Sequence, residues 1–105
     1  MAKDVLVVLV TCPPDKAQGI ASALVEERVA ACVNLVPSLH SVYRWKGEVH
    51  HEDEALLLVK TTKDRFEALK QAVLKHHPHE LPEVIAFTVD RGHTPYLEWV
   101  IESSN

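Results

Sequence analysis

The chain opens on six consecutive apolar residues, Val5 to Val10, most of them β-branched. Such a run predicts a strand buried on both faces near the middle of a sheet. Pro13 and Pro14 end it, and Pro14 with Asp15 suits the first turn of a helix, where a missing N–H costs nothing and a carboxylate meets the positive end of the dipole. Ala17, Ile20, Ala21, Leu24 and Val25 then recur on one helical face. A second strand is expected from about Ala31, interrupted by Pro37 and resumed at Leu39 with strict alternation. Ser41, Tyr43 and Trp45 share one side of the pleat, while Val42, Arg44 and Lys46 share the other. Gly47 starts the chain's departure from that strand. Residues 48–54 read as a polar connection to a third apolar strand, Ala55 to Thr61, so that the two strands form a long hairpin.

Thr62 is expected to cap a second helix, with Phe66, Leu69 and Val73 at helical spacing and Lys75, His76 and His77 near its C-terminal end, which Pro78 closes. Pro82 precedes a fourth strand, Val84 to Val89. Asp90-Arg91-Gly92 then turns the chain into a last helix with Thr94 as cap and Pro95 in its first turn. The order βαββαβ followed by α predicts an α+β fold of ferredoxin-like type, an antiparallel sheet with two helices on one face. The opposite sheet face needs a cover. In so short a protein, the aromatic stripe of Tyr43 and Trp45 points to a second copy of the chain as that cover.

Composition narrows the choice of function. At 105 residues, 47% hydrophobic and 25% charged, the chain reads as one domain spanning residues 1–105, without biased tracts or internal repeats. A net charge of −4 with scattered Lys and Arg leaves no broad basic surface, so nucleic acid is not an expected partner. The apolar run at the start is too short for a signal peptide's apolar region and far too short to span a membrane, which points to the cytoplasm and not to a membrane. Two cysteines, Cys12 and Cys32, do not make a disulfide framework. Gly19, Gly47 and Gly92 are isolated, so no phosphate-binding loop is present, and no Ser/His/Asp arrangement or paired carboxylate motif stands out. An enzyme is not the expected reading.

The ordered residues Ala30-Ala31-Cys32-Val33-Asn34, Pro37, Ser41, Tyr43, Trp45, Gly47, Glu54, Lys60-Thr61, His77-Pro78, Pro82-Glu83, Tyr96-Leu97 and Trp99 resemble those of the CutA divalent-cation-tolerance family. The resemblance covers almost the whole chain. It implies a ferredoxin-like protomer in a tight homotrimer whose long hairpins extend sheets across subunit boundaries, an architecture similar to that of PII-type signalling proteins. It also implies a role in tolerance to divalent metals, notably copper.

Chemistry for that role is expected at His76-His77-Pro78-His79-Glu80, with Cys12 added if the fold brings the end of the first strand near the end of the second helix. Imidazole and thiolate are the donors that copper and zinc prefer. The expected ligands of a divalent copper or related ion are therefore His76, His77 and Cys12. Against this stands the spacing, since adjacent helical residues point about 100° apart and do not form the same-face pair of an i, i+4 arrangement. In the structural alternative His76 and His77 simply face the helix C-terminal dipole. His50 and His51 with their acidic neighbours read as a solvated hairpin tip, and Cys32 as a small buried side chain. The second functional reading is a trimeric PII-like signalling or scaffold protein that binds a small metabolite or a partner protein between subunits.

Overall fold

In the computed structural model, which describes residues 4–105, four strands and three α-helices alternate as the apolar pattern requires. They are β1 (Val5–Cys12), α1 (Pro14–Glu26), β2 (Cys32–Trp45), β3 (Glu48–Thr62), α2 (Phe66–His76), β4 (Ile85–Thr88) and α3 (Thr94–Ser103). A single 3₁₀ turn, Lys63–Arg65, precedes α2. The sheet order is β2-β3-β1-β4 and every neighbouring pair is antiparallel, which is the expected ferredoxin-like arrangement.

The period of two in β1 and β3 decides the layers. Val8, Val10 and Cys12 lie opposite Val59, Leu57 and Ala55, and all six are fully buried beneath Ala17, Ile20 and Leu24 of α1 and Leu69, Ala72 and Val73 of α2. The alternate positions form the other sheet face, where Val36, Ile85 and Phe87 are among the large apolar side chains left exposed. Helix α3 closes one end of the sheet by packing Val100 against Val5 and Ala31. Arg65 fastens it there, donating from Nε to the Ser104 carbonyl at 2.9 Å and from Nη2 to the Arg28 carbonyl at 3.0 Å.

Several local expectations need correction. Residues 48–54 are not a connection but the first half of β3, paired with β2 from Trp45↔Glu48 to Leu39↔Glu54. Their polarity reflects a ribbon exposed on both faces, because pairing with β1 begins only at Cys12↔Ala55. A two-residue turn makes this possible: Lys46 and Gly47 both have positive φ, at 51° and 82°, as a tight hairpin with right-handed twist requires. Pro37 does not interrupt β2. The register slips between Val36↔Leu56 and Leu39↔Glu54, so Pro37 and Ser38 together face Ala55 in a bulge that needs no N–H from the proline. Thr62 ends β3 and makes no side-chain cap. Thr94 is the first residue of α3 and His93 precedes it as cap position, again without a side-chain bond. The fourth strand is shorter than expected, ending at Thr88.

Candidate functional site

A cleft of about 750 Å³ lies between the ribbon and the segment that follows α2. One wall comes from Ser41, Tyr43, Trp45, Glu52 and Glu54. These share a side of the ladder because Ser41 pairs with Glu52, and Glu54 with Leu39. The other wall is the stretch from His77 to Glu83. Tyr43 Oη donates to Glu52 Oε1 at 2.5 Å, and acceptance of that proton by a carboxylate holds the phenol above its ordinary pKa. Thr11 Oγ1 reaches Glu83 Oε1 at 3.3 Å and links the two walls at the end of β1.

His77 fixes the second wall. Its backbone N–H closes α2 on the Val73 carbonyl at 2.8 Å, after which ψ turns to 134° and the chain leaves the helix. The ring then bridges two strangers in sequence. Its Nδ1 accepts the backbone N–H of His79 at 3.1 Å, so the proton sits on Nε2, which donates to the Thr11 carbonyl at 2.7 Å. Both nitrogens are thereby engaged within the chain.

The residues expected to hold a metal are placed apart. His76 sends Nε2 to Glu27 Oε2 at 2.7 Å, joining the ends of α2 and α1. That hydrogen bond, reinforced by the Lys75 and His76 charges, keeps the Glu27 carboxyl below its usual range. Cys12 belongs to the core and has no exposed surface. Burial, with the nearby Glu54 charge, raises its thiol pKa, the opposite of what a thiolate ligand requires. Cys12 and His77 do meet the same end of the sheet, but through the Thr11 backbone and not around a common centre. Among the described residues, no group of three or more His, Cys, Asp or Glu side chains is arranged to hold a metal ion.

What the chain pattern failed to reveal is the acidity of the cleft. Glu52, Glu54, Glu80 and Glu83 all line it together with His79, and among the described residues no Lys or Arg does. A signal existed for the first two. Lys46-Gly47, taken as a two-residue turn, puts Ser41 opposite Glu52 and Tyr43 opposite His50 by counting alone. Nothing local announces that Glu80 and Glu83 return to the same place.

A ferredoxin-like sheet with a projecting β2–β3 ribbon and a cleft beside it defines the class of fold. The family described as CutA1 divalent ion tolerance protein matches residues 6–103. A divalent-cation tolerance protein CutA of Thermus thermophilus is 52% identical over 99 residues, covering 93% of this chain and 96% of the relative. Protein CutA of Mus musculus is 49% identical over 92 residues, and there this chain spans only 52% of the relative's length. Among solved structures, the T. thermophilus divalent cation tolerance protein superposes with a TM-score of 0.93 at 50% identity, covering 96% of this chain and 99% of that one. A protein from Nostoc described as PII-like CutA in apo form superposes with a TM-score of 0.90 at 39% identity, covering 95% and 97%. The chain belongs to the CutA1 divalent ion tolerance family.

Proposed function

We propose that the chain works in the cytoplasm as a homotrimer that binds copper(II) or a related divalent cation in the acidic cleft, contributing to metal tolerance without a catalytic step of its own. The charge of the cleft carries this reading: four carboxylates and the imidazoles of His77 and His79 line a space that no cationic side chain of the described residues shares, which attracts a divalent ion although no three of these groups are preorganised around one point. Carboxylate oxygens accept most divalent ions, and the His79 imidazole adds the preference for copper or zinc over magnesium. His76, His77 and Cys12 are the competing ligand set. The geometry supports them less, because His77 has both nitrogens engaged, His76 is paired with Glu27 and Cys12 is sealed in the core.

Self-association is supported by surface that one copy leaves open. The ribbon beyond β1 has only two strands, too few to be stable alone in water, and Ile85 and Phe87 are exposed on the uncovered sheet face. The second reading, a PII-like signalling or scaffold protein, draws on the likeness to the Nostoc structure. The acidity of the cleft weighs against an anionic metabolite there and leaves a partner protein as its more natural ligand.

Calorimetric titration of tag-free protein with Cu2+ separates the ligand sets. Replacing His79, Glu80 and Glu83 together by Gln is expected to weaken binding about tenfold or more, as the loss of ligands implies. His76→Ala with His77→Ala is expected to leave that site intact, provided melting shows the protein folded. The reverse pattern would return the site to the histidine pair. Native mass spectrometry is expected to show trimers, and a stable monomer at micromolar concentration would remove the oligomeric part of the proposal.

A further inference from the structure

The side of the ribbon turned away from Tyr43 and Glu52 carries a second histidine arrangement. His40 and Asp53 are direct cross-strand partners, and His51 lies two residues from Asp53 on the same side of β3. His40 Nδ1 donates to Asp53 Oδ1 at 3.2 Å. In the neutral ring that bond leaves the lone pair of His40 Nε2 free to accept, and Nε2 faces His51 Nδ1 at 3.2 Å. The ring centroids stand 5.4 Å apart with their planes inclined by 38°. Both histidines are exposed at the surface.

We propose that His40 Nε2 and His51 Nδ1 form a two-nitrogen site for an imidazole-seeking divalent ion such as Cu2+, Ni2+ or Zn2+, with Asp53 orienting His40 through its other ring nitrogen. The distances fit this use. Two nitrogens 3.2 Å apart, each bound at about 2.0–2.1 Å, subtend an angle of about 100° at the metal, between cis square-planar and tetrahedral values. A carboxylate hydrogen-bonded to the remote nitrogen is the usual support of a metal-bound imidazole, fixing its tautomer and raising its basicity. In the free protein the proton on His51 Nδ1 fills the gap. On binding, His51 shifts to the tautomer protonated at Nε2 and the ion takes that proton's place, so the neutral pair loses no net proton.

Strand geometry explains why two residues far apart in sequence can do this. Paired β-strands hold cross-strand side chains at fixed separation, and the two-residue turn at Lys46-Gly47 admits a single register. Water supplies the remaining coordination positions, so binding of moderate strength is expected, with selectivity for transition metals over Mg2+ and Ca2+. This site does not depend on the acidic cleft, which lies on the opposite face of the ladder and is lined by other residues.

The test uses the full chain with the metals alone. Zn2+ titration followed by side-chain 15N NMR is expected to move the His40 and His51 imidazole resonances together, with Mg2+ producing no change at either. Electron paramagnetic resonance of bound Cu2+ is expected to show two imidazole nitrogens. His40→Gln and His51→Gln should each lower Cu2+ affinity about tenfold or more, while Asp53→Asn, which keeps both imidazoles, should weaken it by roughly tenfold, as removal of an orienting carboxylate does. The cleft variant lacking His79, Glu80 and Glu83 should keep this signature. Unchanged Cu2+ affinity in the Asp53 and histidine variants would overturn the proposal, as would Zn2+ shifts at other histidines that leave His40 and His51 unmoved. Because Asp53 is exposed, its variant decides the matter even if a histidine variant folds poorly.

Discussion

Between Ala55 and Lys60, β3 has β1 on one side and β2 on the other, and every second side chain is buried. Between Glu48 and Glu54 the same strand has only β2 beside it, and none of its residues is buried. The first stretch is held by burial beneath α1 and α2 and would tolerate little change in volume. The second is held by its turn, its ladder and its cross-strand pairs, and is free to spend its side chains on chemistry. Both regions proposed to bind ions sit along that second stretch, one on each face. Rigid core and functional ribbon are thus two halves of one strand.

The sharpest way to break this contrast is to cut into the buried half. Leu57 has no exposed surface and packs between β1 and the helices, so Leu57→Ala is expected to cost about 2–5 kcal/mol in urea or thermal unfolding. Truncating Val49, which is exposed on the ribbon, should cost far less, and equal losses would refute the division. A smaller effect belongs to the turn. Gly47 has φ +82° with open space around a would-be Cβ, so Gly47→Ala is expected to lose about 1 kcal/mol from backbone strain alone. A larger loss would mean that the ribbon's register contributes to the core's stability.

The smallest effect lies on the surface of the helical layer. The Glu27 carboxyl is held below its ordinary pKa by His76, so the folded state prefers the ion more than the unfolded chain does. Its stabilising contribution is present above the unfolded carboxyl pKa and is lost as pH falls through the depressed one. Urea midpoints measured from neutral to acid pH should therefore fall slightly less steeply in Glu27→Gln than in the parent. Parallel profiles would show the pair to be without consequence, as exposed ion pairs often are.

The fold was readable because its periods are unmixed. Val5 to Val10, the face from Ala17 to Leu24, and Ala55 to Thr61 each follow one spacing, and burial obeys them. Residues 48–54 look like a connection in the sequence because a ribbon exposed on both faces loses the apolar alternation that marks a strand. Only the turn at Lys46-Gly47 betrays it. Thr62 and Thr94 carry the residue type of a helix cap, yet neither makes the bond, since β3 runs on into a 3₁₀ turn and α3 starts one residue early. At the site, the aromatic stripe was visible as a pattern within one strand. The opposing Glu80 and Glu83 were not, because their position depends on His77 gripping the Thr11 carbonyl 66 residues away in sequence.

The bulge at Pro37 and Ser38 has a meaning beyond local geometry. Upstream of it, Leu35 points toward the helices opposite Leu57; downstream, the extra residue has changed the strand's phase, so that Tyr43 and Trp45 face away from that layer. The turn at Lys46-Gly47 holds Leu39 opposite Glu54, and Glu54 already lies on the side away from the helices, so removing one of the two bulged residues would restore plain alternation and leave Tyr43 and Trp45 on the cleft side. The bulge is therefore the place where β2 absorbs an odd residue without disturbing the ribbon, and relatives one residue shorter there are expected to keep the aromatic stripe on the same side.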